Sequence, residues 1–196
     1  MFFYLSAGTL ALIAAFFIVT YNSLITLKNK SEEAWSDIDT QLKRRYDLIP
    51  NLVETVKGYA SHESETLEKV VQARSAAMSA QTVPEKEAAE NMLSETLKSI
   101  FALSENYPDL KANVNFQHLQ ETLTDVEEHI QLSRRYYNAT VRDYNTKQEV
   151  FPSNFVAKFG KFEKRAFFEA EGEEKQNVKV SFAESAAAPN EQPKEQ

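Results

Sequence analysis

The chain has no cysteine, which excludes disulfides and thiolate metal sites and leaves redox compartment unmarked in its composition. Glycine and proline are scarce too, at four and six among 196 residues. A β-rich fold needs many tight turns, so this sparse punctuation points to a few long helices. A basic excess is missing: the formal net charge is −7, which disfavours nucleic acid as a partner. Histidine is limited to His62, His118 and His129. The stretch HESET supplies the first histidine and the glutamate of a zinc-protease helix but lacks the second histidine four residues on. None of the three histidines has the glutamate three residues earlier that a di-iron bundle uses. Clustered glycines for a phosphate loop and a nucleophile elbow are also lacking. The expectation is a non-enzymatic protein with no cofactor and no metal site.

Charge is also missing from the first 21 residues, MFFYLSAGTLALIAAFFIVTY. As a helix rising ~1.5 Å per residue, such a run crosses the roughly 30 Å hydrocarbon layer. A cleaved signal would show a basic leader and a small-residue cleavage site before polar sequence, so a retained anchor over residues 1–26 is expected. Lys28 and Lys30 follow the span, then Lys43, Arg44 and Arg45, and nothing basic precedes it. The positive-inside rule then places the N-terminus outside and the body of the protein in the cytoplasm.

Beyond the anchor, apolar residues step by threes and fours. Trp35, Ile38, Leu42, Tyr46, Ile49, Val53, Val56 and Ala60 form one stripe that continues through Leu67, Val70 and Ala73. That pattern predicts a long helix within residues 22–80. Thr82 is a candidate N-cap for a second helix, with Pro84, Glu85 and Glu87 in its first turn, and Pro108 ends it. The third stripe runs from Phe116 to Tyr144, with Ser133 in its one gap, and should end before Pro152. A short fourth helix is bounded by Ser153 or Asn154 and Gly160. The predicted fold is all-α: a transmembrane helix, then an elongated antiparallel bundle of three long helices and a short fourth over residues 27–168. Residues 169–196 are expected to form an extended segment, with NVKVSF alternating like a strand, and an acidic tail rich in Ala, Pro, Glu and Gln. A second helix of about 24 residues cannot cover partners of roughly 40 to 50, so the excess must meet the fourth helix, another copy or lipid.

Pro50 interrupts the first stripe without ending it. A proline removes the donor to the carbonyl four residues back, here that of Tyr46, so a kink is expected there. The side chain of Asn51, a water or an arginine from a neighbouring helix could satisfy that carbonyl. Two polar clusters flank the stripes: Asp39, Arg44, Arg45 and Asn51 on the first, and Arg134, Arg135, Asn138 and Arg142 on the third. They predict a polar layer fixing helix register through arginine–carboxylate hydrogen bonds, with Asp39 partly buried. The stretch FPSNFVAKFGKFEKRAFF interleaves Phe155, Phe159 and Phe162 with Lys158, Lys161 and Arg165. The preferred reading is that the phenylalanines close the bundle while the bases face water; the alternative is a helix on an anionic membrane surface.

Four blocks in order, AWSDIDTQLKRRYDLIPNLVETVKGYASHE, ENYPDLKANVNFQHLQETL, RRYYNATVRDYN and FPSNFVAKFGKFEKRAFFEA, resemble the LemA family of bacterial membrane proteins. The third helix departs slightly, at VEEHIQLS, from what relatives carry there. The resemblance implies a single-pass protein of the bacterial inner membrane with a helical bundle and no agreed activity. Some relatives are associated with shaping internal membranes, others with membrane quality control. The expected role is a scaffold or self-associating module whose partners are the lipid bilayer and either its own copies or other membrane proteins. An adaptor for a membrane protease or envelope-stress system is one alternative, and a metal-binding or catalytic bundle is a further one of a different class.

Overall fold

The computed structural model describes residues 2–168 and contains only helices, turns and one extended stretch within them. Helix α1 spans Phe2–Lys57, α2 Ser64–Ser79, α3 Val83–Ser104, α4 Pro108–Lys111, α5 Val114–Glu149 and α6 Ser153–Phe159. Among these, α1 alone is long and apolar enough to cross a membrane. Its 56 residues form one unbroken helix of about 84 Å, so the apolar run passes into the bundle without a joint.

The all-α expectation holds, but the first stripe is two helices instead of one. The chain leaves α1 at Gly58, and Tyr59 N–H and Ala60 N–H both return to the carbonyl of Val56. Glycine is costly inside a helix, and the serine and histidine that follow add little propensity. Ala60 is nevertheless buried, which is why the apolar spacing looks continuous across the break. The turn folds α2 back along α1. Thr82 then starts α3 with a capping box: its hydroxyl accepts from Glu85 N–H, and the Glu85 carboxylate accepts from Thr82 N–H. Asn113 caps α5 more simply, its side-chain oxygen accepting from Phe116 N–H at 3.0 Å.

Contacts across the bundle set its direction. Leu24 packs near Tyr144, Trp35 meets Tyr137, and Arg45 reaches Glu127, so α1 and α5 run antiparallel. Lys86 pairs with Asp39 and Glu90 with Arg45, so α3 runs parallel to α1. The result is an up-down-up-down arrangement of α1, α2, α3 and α5 around fully buried Ile38, Leu42, Ile49, Leu52, Val70, Leu93, Val126 and Ile130. Each such side chain contributes about 1.5–3 kcal/mol by leaving water.

The unmatched length of the first and third predicted stripes has two answers. At the end of the bundle next to the apolar run, Val156 and Ala157 of α6 join Leu24 and Tyr144 in a second core, with Leu27 and Phe162 against it. Beyond it, Phe168 is fully buried against Trp35, with ring centroids 5.5 Å apart. The expected segment beyond residue 168, including NVKVSF and the tail, lies outside the described residues.

Candidate functional site

Arg45 heads the large, fully buried side chains among the described residues. It lies between α3 and α5, donating to the carboxylates of Glu90 and Glu127 and, at 3.0 Å, to Ser94 Oγ. Glu90 is wholly buried, and its other oxygen accepts the hydroxyl of Tyr46. Arg134, also buried, lies over the ring of Phe168 with Cζ 4.3 Å from the centroid, a cation–π contact. Arg45, Glu90 and Glu127 thus tie α1, α3 and α5 together through ion pairs, with the charge of Arg134 near that of Glu127.

Burial lowers the guanidinium pKa of both Arg45 and Arg134, opposed chiefly by the nearby charge of Glu127. Burial likewise pushes the Tyr46 phenol up to about 12, opposed by Arg45. These shifts follow from desolvation against neighbouring charge, with the neutral phenol favoured inside. Beside the layer, α3 and α5 part to leave a groove of about 550 Å³ whose lining includes Leu97, Phe101, Leu123 and Arg134. Arg134 Nε and Nη2 find no acceptor within the described residues.

The polar layer exists, but its membership differs from the prediction. Arg45 and Arg134 belong to it. Their neighbours Arg44 and Arg135 are exposed, because adjacent residues on a helix point about 100° apart. Asp39 is exposed as well, pairing with Lys86 at 3.5 Å on the surface, which corrects its expected burial. Arg142 and Asn51 face solvent. The residue at the gap of the α5 stripe is Arg134, fully inside, where Ser133 is only half-buried. Glu90, Glu127 and the Tyr46 hydroxyl were missed. Glu90 and Glu127 both stand at apolar-stripe positions, three residues before Leu93 and Ile130, which is the signal that could have found them.

Pro50 lies inside α1 and does not end it. The Tyr46 carbonyl that Pro50 leaves without a donor receives Arg74 Nε of α2 at 2.8 Å. Of the three candidates named from sequence, the neighbouring arginine is therefore the partner found.

Asn138 has a different role from the predicted layer. Its side chain accepts from Phe168 N–H and donates to Phe168 C=O, both at 2.9 Å. Asn145 does the same to Arg165, at 3.0 and 2.9 Å, and Tyr137 donates to the carbonyl of Ala166 at 3.0 Å. Seven residues of helix rise about 10 Å, as do three residues of extended chain. The asparagine spacing thus matches the backbone it grips, and the segment after α6 lies along α5 as a strand would along a sheet edge.

The phenylalanine–lysine stretch divides. Ser153, Val156 and Ala157 are buried, Phe162 is half-buried, and Phe155 and Phe159 are exposed. Closure of the bundle therefore falls to the small residues, Phe162 and Phe168, which corrects the reading that gave it to Phe155 and Phe159. Lys158 and Lys161 are exposed, and Arg165 pairs with Glu32. Gly160 is required at its place: a Cβ there would lie 2.5 Å from Phe162 Cε2 and 3.1 Å from Tyr21 Cε2. The left-handed turn that ends α6 belongs instead to Lys161, at φ 53°. Phe162 N–H to Ala157 C=O and Lys161 N–H to Lys158 C=O complete a Schellman cap.

Among the described residues no three histidine, aspartate or glutamate side chains converge as metal ligands would. The buried carboxylate and its neighbours are held by arginine and tyrosine donors, an arrangement that fixes helices.

The chain has relatives over most of its length. Protein LemA of Metamycoplasma hominis is 28% identical over 184 residues, covering 92% of this chain and 82% of the relative. Magnetosome protein MamQ of Magnetospirillum gryphiswaldense is 23% identical over 194 residues, covering 84% of this chain and 71% of the relative. Magnetosome protein MamQ 2 of Paramagnetospirillum magneticum is 21% identical over 178 residues; this chain spans 65% of its length. The sequence profile of the LemA family matches residues 34–182, from the start of the bundle to beyond the asparagine-held segment. This membrane-associated helical chain belongs to the LemA family.

Proposed function

We infer that this protein is a non-enzymatic scaffold, tethered to the cytoplasmic face of the bacterial inner membrane, that associates with its own copies or with other membrane proteins. The observation that carries this reading is the single helix α1. Anchor and bundle share it without a joint, and the Arg45–Glu90–Glu127 layer locks α3 and α5 to it. Such a body is a stiff post, suited to presenting surfaces at a set height above the bilayer. The groove between α3 and α5, with apolar Leu97, Phe101 and Leu123 in its lining, supplies one such surface. The bases Lys28 and Lys30 after the span, joined there by Lys158 and Lys161 of the α6 region, support a cytoplasmic bundle.

Light-scattering mass of the full chain in nanodiscs or detergent tests self-association, together with crosslinking in cells through single cysteines placed in the cysteine-free chain. A defined homo-oligomer and a crosslinked ladder are expected. A strict monomer at high concentration with no self-crosslink overturns self-association. One foreign membrane protein recovered in equal amount would favour the adaptor role. A cysteine placed in the bundle should resist an impermeant maleimide in intact spheroplasts; ready labelling would reverse the orientation.

A further inference from the structure

Three phenylalanines stand in the open at one corner of the molecule. Phe151, Phe155 and Phe159 are 79%, 59% and 82% exposed, and the rings of Phe151 and Phe155 meet edge-to-face at 6.0 Å. The patch is not isolated. The ring of Phe159 lies edge-on to that of Phe17 of α1, with centroids 6.3 Å apart, and Phe162 meets Tyr21 at 5.4 Å. Phe17 is within the uncharged run, about 22 Å from Phe2 along the helix axis, and Tyr21 is about 28 Å along it. A hydrocarbon layer of roughly 30 Å that begins at Phe2 therefore still surrounds Phe17 and ends near Tyr21. The side chain touching Phe17 is then at hydrocarbon depth.

Charge around the corner runs against that of the whole chain. Lys158 and Lys161 are exposed and make no ion pair among the described residues, Lys164 pairs with Glu149, and Arg165 pairs with Glu32, as Lys28 does at 4.0 Å. Glu163 is the remaining acid beside them. A locally cationic rim around exposed aromatic rings, on a chain of net charge −7, complements anionic headgroups rather than another copy of an acidic protein.

We propose that α6 and the preceding corner form a second membrane contact: Phe151, Phe155 and Phe159 enter the bilayer beside α1 while Lys158 and Lys161 hold anionic lipid headgroups. The inference rests on α1 spanning the bilayer and is independent of self-association. Its effect is to fix the rotation of the post about α1, since a single span alone leaves the bundle free to spin.

The test uses the full chain in vesicles of phosphatidylcholine, with and without 30% phosphatidylglycerol. Phe159→Trp and, separately, Phe155→Trp are made in a Trp35→Phe background, with Met92→Trp on exposed α3 as the control. Shallow nitroxide-labelled lipid should quench both corner tryptophans at least threefold more than the control, and aqueous acrylamide should quench them less. Quenching should be stronger in anionic vesicles, and Lys158→Gln with Lys161→Gln should erase that difference. Acrylamide quenching equal to the control, without lipid quenching, overturns the proposal. So does protection from both quenchers, which would mean that a second copy covers the patch. Equal quenching in neutral and anionic vesicles overturns the lysine role. Failure of the protein to float with vesicles at all would overturn the span itself, a result distinguishable from flotation without quenching.

Discussion

Replacing Arg45 by methionine keeps a long apolar stem in the bundle and removes the donor that meets Glu90 and Glu127. Glu127 is half-exposed and can turn to water, whereas Glu90 is fully buried and cannot. Stranding a buried charge costs about 3–5 kcal/mol. Tyr46 still donates to Glu90 after the change, so the lower end applies, about 3 kcal/mol. Glu90→Leu alone leaves Arg45 with half-exposed Glu127 and Ser94, and should cost about 2–3 kcal/mol. The double variant removes both charges, and apolar replacement of a buried pair is often neutral, so its cost should fall to about 1 kcal/mol. The two single losses would total about 5 to 6 kcal/mol if independent, so the expected coupling is about 4 to 5 kcal/mol.

Trp35 provides the readout. It is the single tryptophan, it packs against Tyr137 and Phe168 inside the bundle, and the anchor contributes no competing signal. Urea unfolding of the full chain in nanodiscs, followed by Trp35 emission, would shift by roughly 1.5 M for a 3 kcal/mol loss at a slope near 2 kcal/mol/M. Asp39→Ala and Arg135→Ala, exposed neighbours of the layer, should each change stability by less than about 0.5 kcal/mol. A double variant as costly as the two singles combined, within about 0.5 kcal/mol, would refute the ion layer as a coupled unit.

Arg74→Met should cost about 1.5–3 kcal/mol by stripping the Tyr46 carbonyl of its charged donor. In a Pro50→Ala background, where residue 50 regains its N–H, the same change should cost less than half as much; equal costs would refute Arg74 as the substitute donor. Asn138→Ala removes two hydrogen bonds to the backbone of Phe168 and should cost about 1–3 kcal/mol, with a red shift of Trp35 emission as Phe168 loosens. Unchanged emission would mean that the segment stays in place without Asn138. The Tyr46 phenol titrates at about 12 in the fold against 10 for an unperturbed tyrosine, so the folded state holds its proton more tightly. That stability is complete below pH 10 and lost as pH rises to 12, on the order of 2 kcal/mol, and the loss measured by urea unfolding between pH 9 and 11 should flatten in Tyr46→Phe.

Helix periodicity exposes the apolar faces because burial acts on every third or fourth residue, and α3, α5 and α6 follow it closely. The break at residues 58–63 is hidden from the same signal, since Ala60 falls on the stripe while the backbone turns. Charges on a stripe are harder to read. Arg45 and Arg44 differ by one position, and only the partner across the bundle determines which of them is inside. Glu90 supplies that partner from 45 residues away, a pairing that no local pattern contains. The asparagine grip was concealed for the opposite reason: Asn138 and Asn145 form a regular seven-residue pair, but their partner is backbone, which has no sequence of its own.

The two halves of the post are held together by different physics, and this accounts for where lipid enters. Away from the membrane, α2 and α3 cover α1 with side chains of their own, and the ion layer sets their register. At the other end, among the described residues, α5 meets α1 with α6 and the extended stretch after it beside them. A strand has no width to shield what stands beyond it, so small residues of α6 close the inner face while large rings remain outside. In water such rings would favour aggregation, a liability that grows with contiguous apolar surface. In the proposed contact the same rings lie in hydrocarbon while their lysines reach the headgroups. On that proposal the thin end of the bundle is stable only beside the bilayer, and a bundle cut from the apolar run of α1 should expose a sticky end that the full chain covers with lipid.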